Sequence, residues 1–157
     1  MAKILGIDHG AVRVGIAVSD ESSSIAFGRE VIPNNKDIFK KILKYISDEN
    51  ITIIVLGYPL NLKGERSEQT KDVEKFEAAL LGAIENSPFK NTVVKRWDER
   101  FTSKMAADSM LESGMKKKKR QQKGNLDIIS ASIMLQSYLD SNKSFKIQSP
   151  ILPESNN

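Results

Sequence analysis

No cysteine occurs in this 157-residue chain, and its one histidine is His9. The first absence excludes disulfides, thiolate zinc sites and a thiol nucleophile, and fits a reducing compartment. The second excludes an acid–base nuclease built on two histidines. Long apolar runs are also missing. The densest, Ile51 to Leu56, is far short of the roughly 20 residues of a membrane span. The N-terminus enters Ile4-Leu5 directly, without an apolar h-region or small-residue cleavage site, so no signal peptide is expected. A cytoplasmic protein without membrane contact is the expectation. Charge of one sign is scarce overall, with 24 Lys+Arg against 20 Asp+Glu. The excess is concentrated, however: Lys116, Lys117, Lys118, Lys119 and Arg120 form one unbroken run.

Three carboxylates stand where the chain changes direction. Asp8 follows the apolar run Ile4 to Ile7, Glu99 follows Val93 to Asp98, and Asp127 opens the apolar segment Leu126 to Leu139. Acids at the ends of buried elements, beside a basic block, point to a metal-dependent enzyme acting on a phosphate backbone. Each acid has a plainer reading. Asp8 suits the turn of a hairpin, Glu99 could pair with Arg100 or cap a following helix, and Asp127 would meet a helix dipole favourably. Spacing leaves both readings open.

Patterning predicts a strand over 3–8 and a second over 12–18. In the second, Val12, Val14, Ile16 and Val18 point one way, and Arg13, Gly15 and Ala17 the other. The short link His9-Gly10-Ala11 makes the pair a hairpin. A third strand near 26–32 stops at Pro33. Ile38, Phe39, Ile42, Leu43 and Ile46 then form one helical face. Ile51 to Gly57 reads as a strand buried on both faces, and Val73, Phe76, Leu80 and Ile84 as a second helix. Residues 92–98 return to strand. A short helix over about 103–113 ends at Gly114, and Asn125 caps a last helix over 126–140. Residues 1–140 thus form one domain, and 141–157 a loosely held tail. The order βββαβαβαα predicts an α/β fold, a mixed five-stranded sheet flanked by helices, matching the ribonuclease H-like architecture.

Four blocks carry a resemblance. They are Asp8-His9-Gly10-Ala11-Val12-Arg13-Val14-Gly15 with Val18-Ser19-Asp20, then Gly57-Tyr58-Pro59-Leu60-Asn61 with Gly64. Trp97 to Ser103 follows, and last Lys119-Arg120 with Leu126 to Ala131 and Ile133 to Leu139. In this order the chain resembles the YqgF family of small RuvC-like nucleases over about residues 3–140. The departures are small: Ser130 stands where Ala is usual, and Tyr58 where an aliphatic is usual.

The resemblance implies a ribonuclease H-like fold and three metal-binding, catalytic acids, here Asp8, Glu99 and Asp127. It implies Mg²⁺ or Mn²⁺, which suit hard oxygen ligands. It also implies a role in maturing the 5′ end of the small-subunit ribosomal RNA precursor, or in resolving branched DNA junctions. Asp98 competes with Glu99, but strand alternation sends the two to opposite faces, and the resemblance favours Glu99. The basic run Lys116 to Arg120 is expected to contact nucleic acid, with Arg13 and Arg100 as further candidates. His9 and Trp97 are expected to be structural. A monomer or weak homodimer is expected.

Two rivals stand. Asp-x-Gly after a first strand also opens actin-like ATPases, but those clamp ATP between two such lobes. The other is a ribosomal-RNA-binding module whose acids are structural.

Overall fold

The structure is a computed structural model and describes residues 2–101 and 123–148. Five strands form one sheet: β1 (Lys3–His9), β2 (Arg13–Ser19), β3 (Ala26–Pro33), β4 (Ile51–Tyr58) and β5 (Val93–Asp98). Three helices pack on it: α1 (Ile38–Glu49), α2 (Glu68–Glu85) and α3 (Lys123–Gln148). The sheet order is β3-β2-β1-β4-β5. β1–β2 and β2–β3 are antiparallel, while β1–β4 and β4–β5 are parallel. The mixed five-stranded α/β fold expected from the patterning is therefore present.

Strand alternation sorts the core into two layers. Leu5, Ile7, Val14, Ile16, Ile54 and Leu56 face α1 and α2, meeting Ile38, Ile42, Val73, Phe76 and Leu80. Ile4, Ala17 and Val55 face α3, meeting Ala131, Met134, Leu135 and Leu139. Trp97 belongs to this second layer, edge-on to Tyr138 with ring centroids 5.7 Å apart. Both faces of β1, β2 and β4 are thus covered, as the near-continuous apolar runs require.

The layer under α3 is thin by composition. Gly6 of β1 pairs with Ala17 of β2, which pairs with Gly28 of β3. This row of small residues lets α3 lie directly on the strands. At Gly15 a Cβ would come within 2.4 Å of the Asp127 carbonyl oxygen, and at Gly28 within 2.4 Å of Ile128 Cγ2. Elsewhere, Asn50 closes α1 in the left-handed conformation, its N–H bonded to the Ile46 carbonyl. Ser67 and Thr70 cap α2 reciprocally. The Thr70 hydroxyl also donates to the Pro59 carbonyl, which pins the loop between β4 and α2.

Three expectations change. β2 begins at Arg13, and Val12 lies in the hairpin bend, 71% exposed, rather than on the buried face. The cause is that β1 runs on through His9, so the link is Gly10-Ala11-Val12. α3 begins at Lys123, so Asn125 lies inside its first turn and is not the cap. It also continues to Gln148, so residues 141–148 extend a helix where a loose tail was expected. The helix expected over 103–113, Gly114 and the run Lys116 to Arg120 lie outside the described residues.

Candidate metal and nucleic-acid site

The parallel strands β1, β4 and β5 end at one edge of the sheet, where crevices form in open α/β sheets. Asp8 is the penultimate residue of β1 and pairs with Gly15 of β2. Leu5 and Ile7 face α1 and α2, so Asp8 emerges on the α3 side. Glu99 opens a single 3₁₀ turn, Glu99–Phe101, directly after β5. The face of Gly57 that meets Met134 of α3 also meets Glu99 Oε1, so Glu99 turns to the α3 side as well. The two carboxyls meet in a hydrogen bond. Burial is the main reason the Asp8 carboxyl is pushed well above the usual carboxylate range. The Glu99 charge and hydrogen bond and the Asp127 charge add to it. Burial also raises Glu99, with Asp98 contributing, while its bond to Asp8 pulls the other way. Burial and like charge thus both favour the protonated form of Asp8 beside Glu99 when no cation is present.

Gly57 makes room for this pair. It sits opposite Trp97 in the β4–β5 ladder. A Cβ there would come within 2.3 Å of Glu99 Oε1 and 2.8 Å of Met134 Sδ. Glu99 thus rests against bare backbone of a central strand.

Asp127 lies near the start of α3, where its backbone is held against Gly15 beside Asp8. Its carboxylate is close enough to raise Asp8 through charge, yet it accepts a hydrogen bond from Arg13 Nε at 2.8 Å. The pair is partly exposed, at 39% and 36% of the side chains. Among the described residues, no three acidic or imidazole groups stand close enough to enclose a cation. The structure thus joins Asp8 to Glu99 and holds Asp127 beside them, turned to Arg13.

The other candidates divide. Asp98 points away from the acid pair and holds Arg100, with Nε at 3.0 and 2.9 Å from its two oxygens and Nη2 at 2.5 Å. The Arg100 ion pair holds the Asp98 carboxyl below its usual range. Arg100 is thereby committed to Asp98 beside Gly64. His9 is buried against the Phe76 ring at 4.8 Å, with Nε2 3.1 Å from Asn34 Nδ2. That is the structural role expected. Asp20 organises the β2–β3 turn by accepting from the Ser24 and Ile25 amides and the Ser22 hydroxyl. Those bonds lower its carboxyl to about 2.

The sequence pattern of the family described as "RuvX: Holliday junction resolvase" matches residues 2–141. The chain belongs to that family. Membership makes it a nuclease, an enzyme hydrolysing phosphodiester bonds of nucleic acid. RuvX-type relatives include a protein of Flavobacterium psychrophilum, 42% identical over 139 residues, which span 88% of this chain and 97% of the relative. Another, from Parabacteroides distasonis, is 43% identical over 143 residues, spanning 91% and 98%. Both are named as candidate pre-16S rRNA nucleases. Among solved structures the fold is similar to Thermus thermophilus RuvC in complex with a Holliday junction substrate. That likeness has a TM-score of 0.57 at 15% identity and covers 90% of this chain and 96% of that one. It is also similar to the yeast mitochondrial Holliday junction resolvase, with a TM-score of 0.58 at 13% identity, covering 95% and 85%.

Within this RuvX chain the sequence reading missed two features. One is Gly57 as the seat of Glu99. The only signal was a glycine interrupting the apolar run of β4, which often marks a close approach. The other is the Arg13–Asp127 pair, for which spacing offered no signal, because the partners are 114 residues apart.

Proposed function

We propose that this protein is a divalent-metal-dependent nuclease that trims the 5′ end of the 16S ribosomal RNA precursor. The buried Asp8–Glu99 carboxyl pair at the strand-end edge carries the reading. Two buried acids that repel one another form a site that a hard dication would neutralise, and all-oxygen ligands favour Mg²⁺ or Mn²⁺. The donor set fits such an ion, with Asp8 and Glu99 holding it and Asp127 within reach of the same place. When bound, the ion would activate the attacking water and stabilise the leaving oxygen. The chain itself orients the ligands. Gly57 leaves space for Glu99, and Gly15 lets α3 bring Asp127 beside β1. Arg13 supplies positive charge at the rim, and Lys116 to Arg120 supply more from sequence.

The ribosomal substrate is supported by relatives of matching length above 40% identity. Resolution of branched DNA is the second reading, and the family description favours it. Labelled pre-16S RNA and a four-way DNA junction, incubated side by side with Mn²⁺, separate the two. Cleavage of the RNA near its 5′ end is expected, and cleavage of the junction alone would overturn the ribosomal assignment. Mg²⁺ should also support cleavage, and Ca²⁺ only poorly, since its longer, looser coordination misplaces the water. Robust cleavage in EDTA rejects the metal mechanism. Binding without cleavage under any metal would instead mark an RNA-binding module.

A further inference from the structure

Arg13 and Asp127 meet at the rim of the acid pair, and three observations bear on what their contact does. The contact is direct, Nε to Oδ2 at 2.8 Å, and more than a third of each side chain is exposed, so either partner can leave it. The Asp127 backbone already lies against Gly15, the strand partner of Asp8. Asp127 already acts on Asp8 through its charge. Asp127 thus stands between two claims on its carboxylate, the Arg13 guanidinium that it accepts from and the acid pair on which its charge acts.

We propose that Arg13 occupies Asp127 in place of the metal, and that metal binding hands Arg13 over to a phosphate of the substrate backbone. A dication at the acids competes for Asp127 and repels the guanidinium beside it. Arg13 opens β2 next to the exposed bend at Val12, so the released guanidinium stands at the open rim. A guanidinium matches phosphate with two parallel N–H donors. Metal and nucleic acid then favour each other through one side chain. The metal frees Arg13 for phosphate, and a phosphate on Arg13 frees Asp127 for metal. Linkage makes the two effects equal. The proposal rests on the metal reading of Asp8, Glu99 and Asp127.

The test measures binding, not turnover. Mn²⁺ affinity is measured by calorimetry on the full chain for wild type, Arg13→Gln and Asp8→Asn, without nucleic acid. Arg13→Gln is expected to bind Mn²⁺ roughly two- to fivefold more tightly, the factor released by losing a competing exposed ion pair. Affinity for a labelled RNA is then measured with and without Ca²⁺. Ca²⁺ is expected to tighten wild-type binding by a factor that Arg13→Gln largely loses. Equal or weaker Mn²⁺ binding by Arg13→Gln overturns the proposal. Loss of Mn²⁺ binding in Asp8→Asn keeps the metal site itself standing in that case. Mn²⁺ binding unchanged in Asp8→Asn would remove the underlying reading instead. If Arg13→Gln does not fold, Arg13→Lys carries the same test, because lysine lacks the Nε–H fork. It too should bind Mn²⁺ more tightly, and an unchanged affinity overturns the proposal.

Discussion

A single proton decides much of the behaviour of the acid pair. Asp8 holds that proton in the folded chain at a pH where the unfolded chain has released it. Its raised carboxyl therefore costs nothing below the ordinary carboxylate range, about pH 4. The cost enters as pH rises towards the folded value. Asp8→Asn removes it. The melting temperature of the metal-free variant should exceed that of wild type by a margin that grows as pH rises above about 4. A gain of about 2–4 °C corresponds to roughly 1 kcal/mol in a chain of this size. His9 works in the opposite sense, since burial lowers it, so it loses stability as pH falls below about 6.5. It is common to both proteins and cancels in the difference. Cleavage by Asp8→Asn should be lost, and a variant with full activity would refute the assignment. The neighbours Asp98 and Glu99 make a sharper pair. Glu99→Gln should lose single-turnover cleavage by 10²-fold or more, on the order of removing one catalytic electrostatic group. Asp98→Asn should lose far less, because its work is holding Arg100. Alternation along β5 separated these two acids in the sequence, while the family resemblance, not the alternation, favoured Glu99. The Arg13–Asp127 pair was not legible in the sequence, because it depends on where a helix lands on a sheet.

Helix α3 shows what an element's pattern can and cannot reveal. Its buried side, Ala131, Met134, Leu135, Tyr138 and Leu139, is written in apolar periodicity, and the helix was legible there. Its ends were not. Beyond Leu139 the sequence Asp140 to Gln148 carries no helical apolar periodicity, so the continuation of the helix leaves no hydrophobic signal. Val12 erred in the other direction, an alternation that ran one residue beyond the ladder. The seat of α3 on the sheet supports a contrast between two glycines. In Gly15→Ala the new methyl meets the Asp127 carbonyl, backbone that cannot rotate aside, so a loss of about 1–3 kcal/mol is expected, as for other overpacked sites. In Gly28→Ala the nearest atom is a methyl of Ile128, a side chain that can yield. The stiffer unfolded chain of the alanine variant offsets part of that cost, about 0.4–1 kcal/mol. Urea melts of the two variants should therefore separate, with Gly15→Ala the less stable. Equal midpoints would mean that α3 is not clamped at Gly15.

Taken whole, the molecule gathers its chemistry at one edge of the sheet. The order β3-β2-β1-β4-β5 makes β1 and β4 neighbours inside the sheet. Pairing rules and right-handed crossovers leave few other arrangements. Replacing Lys116 to Arg120 with alanine tests how the molecule grips nucleic acid. Affinity should fall alike for every sequence, and each lost phosphate contact should remove roughly 0.7–0.9 from the log–log salt slope. The rate at saturating substrate should fall much less. An unchanged slope would move the phosphate contacts elsewhere, to Arg13 first. The central place of β1 has a consequence for heat. Asp8 rides on a strand bonded along both edges and covered on both faces, the kind of segment that exchanges its amides last. Glu99 hangs from the end of an edge strand, and Asp127 from the start of a helix. On warming, these two should leave their places while β1 is still intact. Inactivation should then precede melting and reverse on cooling.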